Sequence, residues 1–135
     1  VRLSNREQGS MLPLFGGLAF VSFVMIALVV ELALLGSTYR SVAAAADAAS
    51  EAGASMLSEA EAYESRLVVD GDRARQVSSE VARRLAGADV VVDVAPTPSR
   101  VCVTVGQAYE PTTLGLLGVG AIDVSVTSCA EPRVG

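Results

Sequence analysis

"SNREQGSMLPLFGGLAFVSFVMIALVVELALLG" spans residues 4–36, and its reading decides the fold. It passes from charged and polar residues through Gly9 into an apolar run that holds one carboxylate, Glu31. No charge occurs from Met11 to Val30. As a helix these residues rise roughly 30 Å, the thickness of a bilayer's hydrocarbon core. Pro13 sits near the start, where a helix tolerates a missing N–H. Gly16, Gly17, Ala19 and Ser22 are small enough to let another helix approach closely. A cleaved secretory signal is the competing reading. Its apolar region spans about 7–15 residues, shorter than this run. "VVELALLGSTYR" is also a poor approach to a signal peptidase site, although the alanines at 43–46 offer A-x-A patterns. Arg2 and Arg6 precede the run and Arg40 follows it, a bias that favours a cytoplasmic N-terminus. Glu31 has two readings. It reaches water at the outer end of the span, or it pairs with a partner subunit.

Downstream, "STYRSVAAAADAASEAGASMLSEAEAYESRL" contains no proline and is rich in strong helix formers. The simplest expectation is one helix from Pro13 to Leu67, about 80 Å long at the standard rise. Val42, Ala49, Met56 and Tyr63 recur every seven residues. Ala46, Gly53, Ala60 and Leu67 each follow four later, which makes a heptad seam. The seam is thin and permits close approach. It packs either on the chain's own domain or among neighbouring stems.

"LVVDGDRARQ" breaks the pattern: Asp70 can cap a second helix that ends near Ala86, with Gly87 as terminator. Ala74, Val77, Val81 and Leu85 form its apolar face. The period then changes to two. Val90, Val92 and Val94 share one strand face, as do Val101, Val103 and Val105, and Ile122, Val124 and Val126. Three strands with one face buried under helix follow from this alternation. Both cysteines lie on the polar face. An antiparallel register that sets Cys102 opposite Cys129 also sets Val105 opposite Val126, so one register satisfies core and disulfide together. A disulfide suits an extracytoplasmic domain. "PTTLGLLGVG", residues 111–120, has glycines that predict irregular backbone, and leucines that form a lid over the core or a contact surface.

Composition narrows function. The chain has 135 residues, no Trp, no His and a net charge of −5, and every basic residue is Arg. No basic stripe exists to displace phosphate counterions, so nucleic acid is not an expected partner. Without His, and with two cysteines, zinc ligation and most nucleophile–base pairs lack their usual residues. The expectation is no enzyme, no cofactor, no metal site and no small-molecule substrate. The outward Asp89 and Asp93 are what a solvated sheet surface carries.

The opening "EQGSMLPLFGGLAFVSFVMIALVVELALLGSTYRSVAAAADAASEAGA" resembles the N-terminal region of TadE/TadG-like proteins, minor pilin-like components of tight-adherence (Flp) pili. The features that carry the likeness are the glycine before the apolar run, "LPLF", the acid near the run's end and "AADAASEAGA". It covers about residues 7–54, and the later helix, valine strands and cysteines are similar less specifically. The resemblance implies a single-pass envelope protein that assembles an adhesive pilus, with a leader-cleavage position between Gly9 and Ser10. Processed prepilins of this type carry Glu five residues after that glycine, whereas Leu14 stands there in this chain.

The expected fold is α+β and pilin-like. It comprises a long transmembrane-to-extracytoplasmic helix, a second helix and a small three-stranded antiparallel sheet. Residues 1–10 form a short cytoplasmic N-terminus or leader, 11–36 the transmembrane helix, 37–69 a helical stem and 70–135 a disulfide-bonded α+β domain. The expected partners are the membrane and pilus or secretion-platform subunits, copies of this chain included. Contact positions are Glu31, Val42, Ala46, Ala49, Gly53 and Met56. The alternative is a single-pass membrane-anchored binding or secretion-accessory module unrelated to pili.

Overall fold

The computed structural model describes residues 11–59 and 66–133. The order of elements is α1 (Met11–Ala54), α2 (Gly71–Ala86), β1 (Val91–Thr97), β2 (Arg100–Tyr109), α3 (Thr113–Leu116) and β3 (Ile122–Ala130). The fold is α+β, as the change of period predicts.

α1 is one helix of 44 residues, about 66 Å long at the standard rise. It lives in two environments. Its first half presents apolar side chains all round, with Leu14, Phe15, Phe20, Phe23 and Ile26 all exposed. From Glu31 onward a stripe of the helix is buried, including Val42, Ala45, Ala46, Ala49 and Gly53. Small residues on that stripe let the sheet and α2 approach the helix axis. A side chain at Gly53 would fall against Ser78 Oγ and 3.0 Å from Val101 Cγ1.

The helix does not run on to Leu67. It ends at Ala54, and a tight turn follows in which Met56 N donates to Gly53 O at 3.1 Å. The chain then becomes extended. Leu57 pairs with Val69, Ser58 N donates to Val68 O at 2.8 Å, and Asp70 N donates to Met56 O at 2.8 Å. Helix propensity favours continuation by only tenths of a kcal/mol per residue. Folding back α2 onto α1 buries Ala74, Ser78 and Ala82, and that packing outweighs propensity. Of the seam positions beyond the helix end, Met56 is half-buried against the core and Leu67 is exposed, while Ala60 and Tyr63 lie outside the described residues.

α2 starts as predicted. The Asp70 carboxylate accepts from the backbone N–H groups of Asp72 and Arg73, both at 3.2 Å, satisfying two of the donors that a helix N-terminus leaves free. Gly87 ends it at φ 106°, a conformation that suits glycine. The buried face is Ala74, Ser78 and Ala82, with Val77 and Val81 half-buried. Leu85, expected on this face, is exposed. Ala86 takes the packed position in this last turn instead.

The sheet is an antiparallel meander in the order β1-β2-β3. The register joins Cys102 to Cys129 and Val105 to Val126, as the alternation demands. Val101, Val103 and Val105 are fully buried and, with Val90, Val42, Ala46, Ala49 and Ala74, make the core. Pro96 sits in β1, an edge strand, where a missing donor costs little.

Candidate functional site

Two features stand out once the fold is in place: the bare apolar half of α1, and the carboxylate that ends it. The run from Pro13 to Val30 belongs to a helix long and apolar enough to cross a membrane. Phe23 is 72% exposed and Val29 66%, so in the isolated chain this surface faces water on every side. Exposed apolar area of this extent requires cover. By length and composition a bilayer supplies it, and the chain is anchored in a membrane by this helix.

Glu31 comes next, and it is only 3% exposed. Its Oε1 accepts from the Tyr109 hydroxyl at 2.7 Å and from Thr112 N at 2.9 Å. Its Oε2 accepts from Thr113 N at 2.8 Å and also from the Thr113 hydroxyl. An ionised carboxylate is acceptor-only and can take all four donors without a proton of its own. Two of them are backbone groups at the start of α3, where Thr112 makes no side-chain cap of its own. Glu31 therefore caps that short helix from another element. Tyr109 responds to the same contact. Its hydrogen bond to Glu31, then its burial and the nearby negative charge, raise the phenol above its ordinary value.

The water-facing reading of Glu31 is corrected by this geometry, and the partners it holds come from its own chain. Sequence reasoning began the seam at Val42 and ran it forward to Leu67. The signal extends further back. Glu31, Leu35, Thr38, Val42, Ala45 and Ala49 follow a 4-3-4-3-4 spacing, which puts the carboxylate on the helix face that packs on the domain.

The other predicted positions divide. Val42, Ala46, Ala49 and Gly53 are buried against α2 and the sheet, so the seam packs on the chain's own domain. Ser78 Oγ donates to Ala49 O at 2.9 Å across this contact, and Ser50 Oγ, bonded within α1 to Asp47 O at 2.9 Å, lies 3.4 Å from Ser128 Oγ of β3. Gly9 and Ser10 lie outside the described residues. Cys102 and Cys129 form the disulfide, with Cα atoms 4.0 Å apart, on the face of the sheet turned away from α1. Beside it Thr104 and Thr127 share a hydroxyl–hydroxyl hydrogen bond at 2.7 Å, extending the polar ladder.

The lid expected from residues 111–120 does not form. Thr113–Leu116 is a single helical turn, and Leu116, Leu117 and Val119 point away from the core. The inner sheet face is already covered by α1 and α2, which leaves Leu116 and Leu117 nothing to close over, while Leu114 is half-buried.

At the far end of α1 a cleft opens between its last turns and the end of β3. Asp47, Ser50, Glu51, Arg100, Ser128 and Arg133 are among its lining residues. It mixes charges of both signs. Among the described residues no three His, Cys, Asp or Glu side chains are grouped to hold a metal ion. No protein-family model, curated protein or solved structure matches this chain.

Proposed function

We propose that this protein is a TadE/TadG-like minor pilin or accessory subunit in the assembly of tight-adherence pili, with its N-terminus in the cytoplasm and its folded domain outside. One observation carries the reading. α1 is a single unbroken helix whose apolar half is bare all round, while its other half is keyed into a small disulfide-pinned sheet. That layout suits a subunit held in the membrane by its stem and presented outward by its domain. The N-terminal resemblance over about residues 7–54 supports this family reading. The arginines before the span support the orientation, and the disulfide agrees with an oxidising compartment. The role is physical rather than catalytic: α1 provides a surface for lipid or neighbouring stems, and the sheet provides a contact surface outside. Deleting the gene in a piliated host tests this. Loss of surface pili and of adhesion, restored by the intact gene, is the expected result. Unchanged pili and adhesion would remove the basis of the proposal.

A second reading, a membrane-anchored binding module unrelated to pili, is favoured by the cleft at the far end of α1. Under it, Arg100→Ala would abolish ligand capture by the outer domain and leave pili intact. The pilus reading expects no such separation.

A further inference from the structure

The loop between β2 and β3 carries the strongest unassigned feature. Leu116 is 86% exposed and Leu117 78%, the two most exposed large apolar side chains among the described residues. Val119 adds to the patch. No charge lies between Glu110 and Asp123. A soluble surface loop seldom displays adjacent bare leucines without polar neighbours.

Its place in the fold says what it faces. β2 starts beside the end of α1, where Val101 approaches Gly53. It then descends along α1 until Tyr109 meets Glu31, the first residue after the uncharged run. β3 begins at the same level, where Ile122 and Asp123 line a groove with Leu32 and Leu35. The loop joining the strands is therefore the tip of the domain nearest the apolar half of α1. Glu31 holds that tip in place through Thr112 and Thr113, immediately before the leucines. Leu32 and Leu34 are exposed on the helix at this level: Leu32 shares that groove with Ile122, and Leu34 lines a second groove with Thr112.

We propose that the β2–β3 loop, through Leu116, Leu117 and Val119, inserts into the lipid surface from which α1 emerges. The domain then has two membrane contacts, the helix and the loop, and Glu31 fixes the angle between them. Side chains of this kind bury in the boundary between headgroups and acyl chains, as the apolar face of an interfacial helix does. The contact rests on membrane anchoring by α1 and does not require the pilus reading.

The chain has no tryptophan, so single indoles report cleanly. The full chain is reconstituted in phosphatidylcholine–phosphatidylglycerol vesicles as three variants, Leu117→Trp, Phe20→Trp and Ser99→Trp. Ser99 lies in the β1–β2 turn at the opposite tip. The indole at 117 is expected to emit to the blue of that at 99. It should lose most of its emission to lipids brominated high on the acyl chain and resist aqueous iodide. The indole at 20 should respond most to bromines deep in the chain. An indole at 117 that behaves like the one at 99 overturns the loop contact while leaving the anchor intact. A blue-shifted indole that lipid bromines do not quench means protein covers the loop, and this also overturns it. If the indole at 20 escapes lipid quenching, the anchor fails and the loop contact fails with it.

Discussion

Gly53 and Ser78 show how closely α1 and α2 meet. A methyl group at 53 has no room unless Ser78 moves, and Ser78 is fully buried and bonded to Ala49 O. Gly53→Ala gains about 1 kcal/mol of helix propensity. It costs about 1–3 kcal/mol in overpacking and a further ~1 kcal/mol if the serine bond is displaced. The expected net effect is destabilisation, read as a lower denaturant midpoint in micelles. In a Ser78→Ala background the cost of Gly53→Ala should shrink, because the hydroxyl it strikes is gone. A double-mutant cycle measures that coupling. A second prediction concerns Tyr109. Its phenol is raised above the usual tyrosine range by its bond to Glu31. Below about pH 10, the ordinary value, the phenol is protonated whether folded or not, and the bond contributes in full. As pH rises through the higher folded value the phenol ionises beside a carboxylate, and the contribution is lost. The absorbance titration of the full chain minus that of Tyr109→Phe should therefore show a midpoint above that of free tyrosine. A midpoint at or below the free value would mean the clasp does not persist in solution.

Among the elements, the strands were the most legible. Alternating valines mark the inner face, and two cysteines on the outer face leave one register that pairs both sets. Asp70 and Gly87 mark the ends of α2 for local reasons that need no tertiary knowledge. The end of α1 is a different case. "SMLSEAEAYESRL" reads as helix by propensity and heptad, yet the chain leaves the helix at Ala54. The cause is long-range: Met56 O is claimed by Asp70 N, and Val69 N by Pro98 O. Neither bond is visible in local pattern. Glu31 was half legible. Its spacing on the packing face is present in the sequence, but its donors lie 78 to 82 residues away. At this scale the disulfide is testable. It closes a loop with a sequence separation of 27, which the chain-entropy treatment values at about 3.6 kcal/mol. Replacing both residues, Cys102→Ser with Cys129→Ser, should lower stability by about 2–4 kcal/mol. Denaturant unfolding followed by the β-sheet circular dichroism signal checks it. A change of a few tenths would mean the strands hold their register unaided.

For the molecule as a whole, the question is whether α1 remains attached to the domain it serves. Signal peptidase cutting among the alanines at 43–46, or at any point to residue 50, would remove the apolar run. It would also cut through the middle of the core. Val42, Ala45, Ala46 and Ala49 are all fully buried there, and Glu31 would be lost with the donors of Tyr109, Thr112 and Thr113 left unanswered. The valine face of the sheet would lose its α1 cover, leaving α2 alone against it among the described residues. The protein recovered from membranes should therefore retain the run through Val30, and intact-mass measurement of the carbonate-resistant fraction reads this directly. A mature chain that starts anywhere from 43 to 50 would overturn both the anchor and the packing that depends on it. A start at Ser10 would preserve both, because the cut falls before the apolar run and leaves α1 whole. The measured N-terminus thus separates a retained anchor, a processed pilin-type stem and a discarded signal by mass alone. The packing of α1 into the domain predicts that the third will not be found.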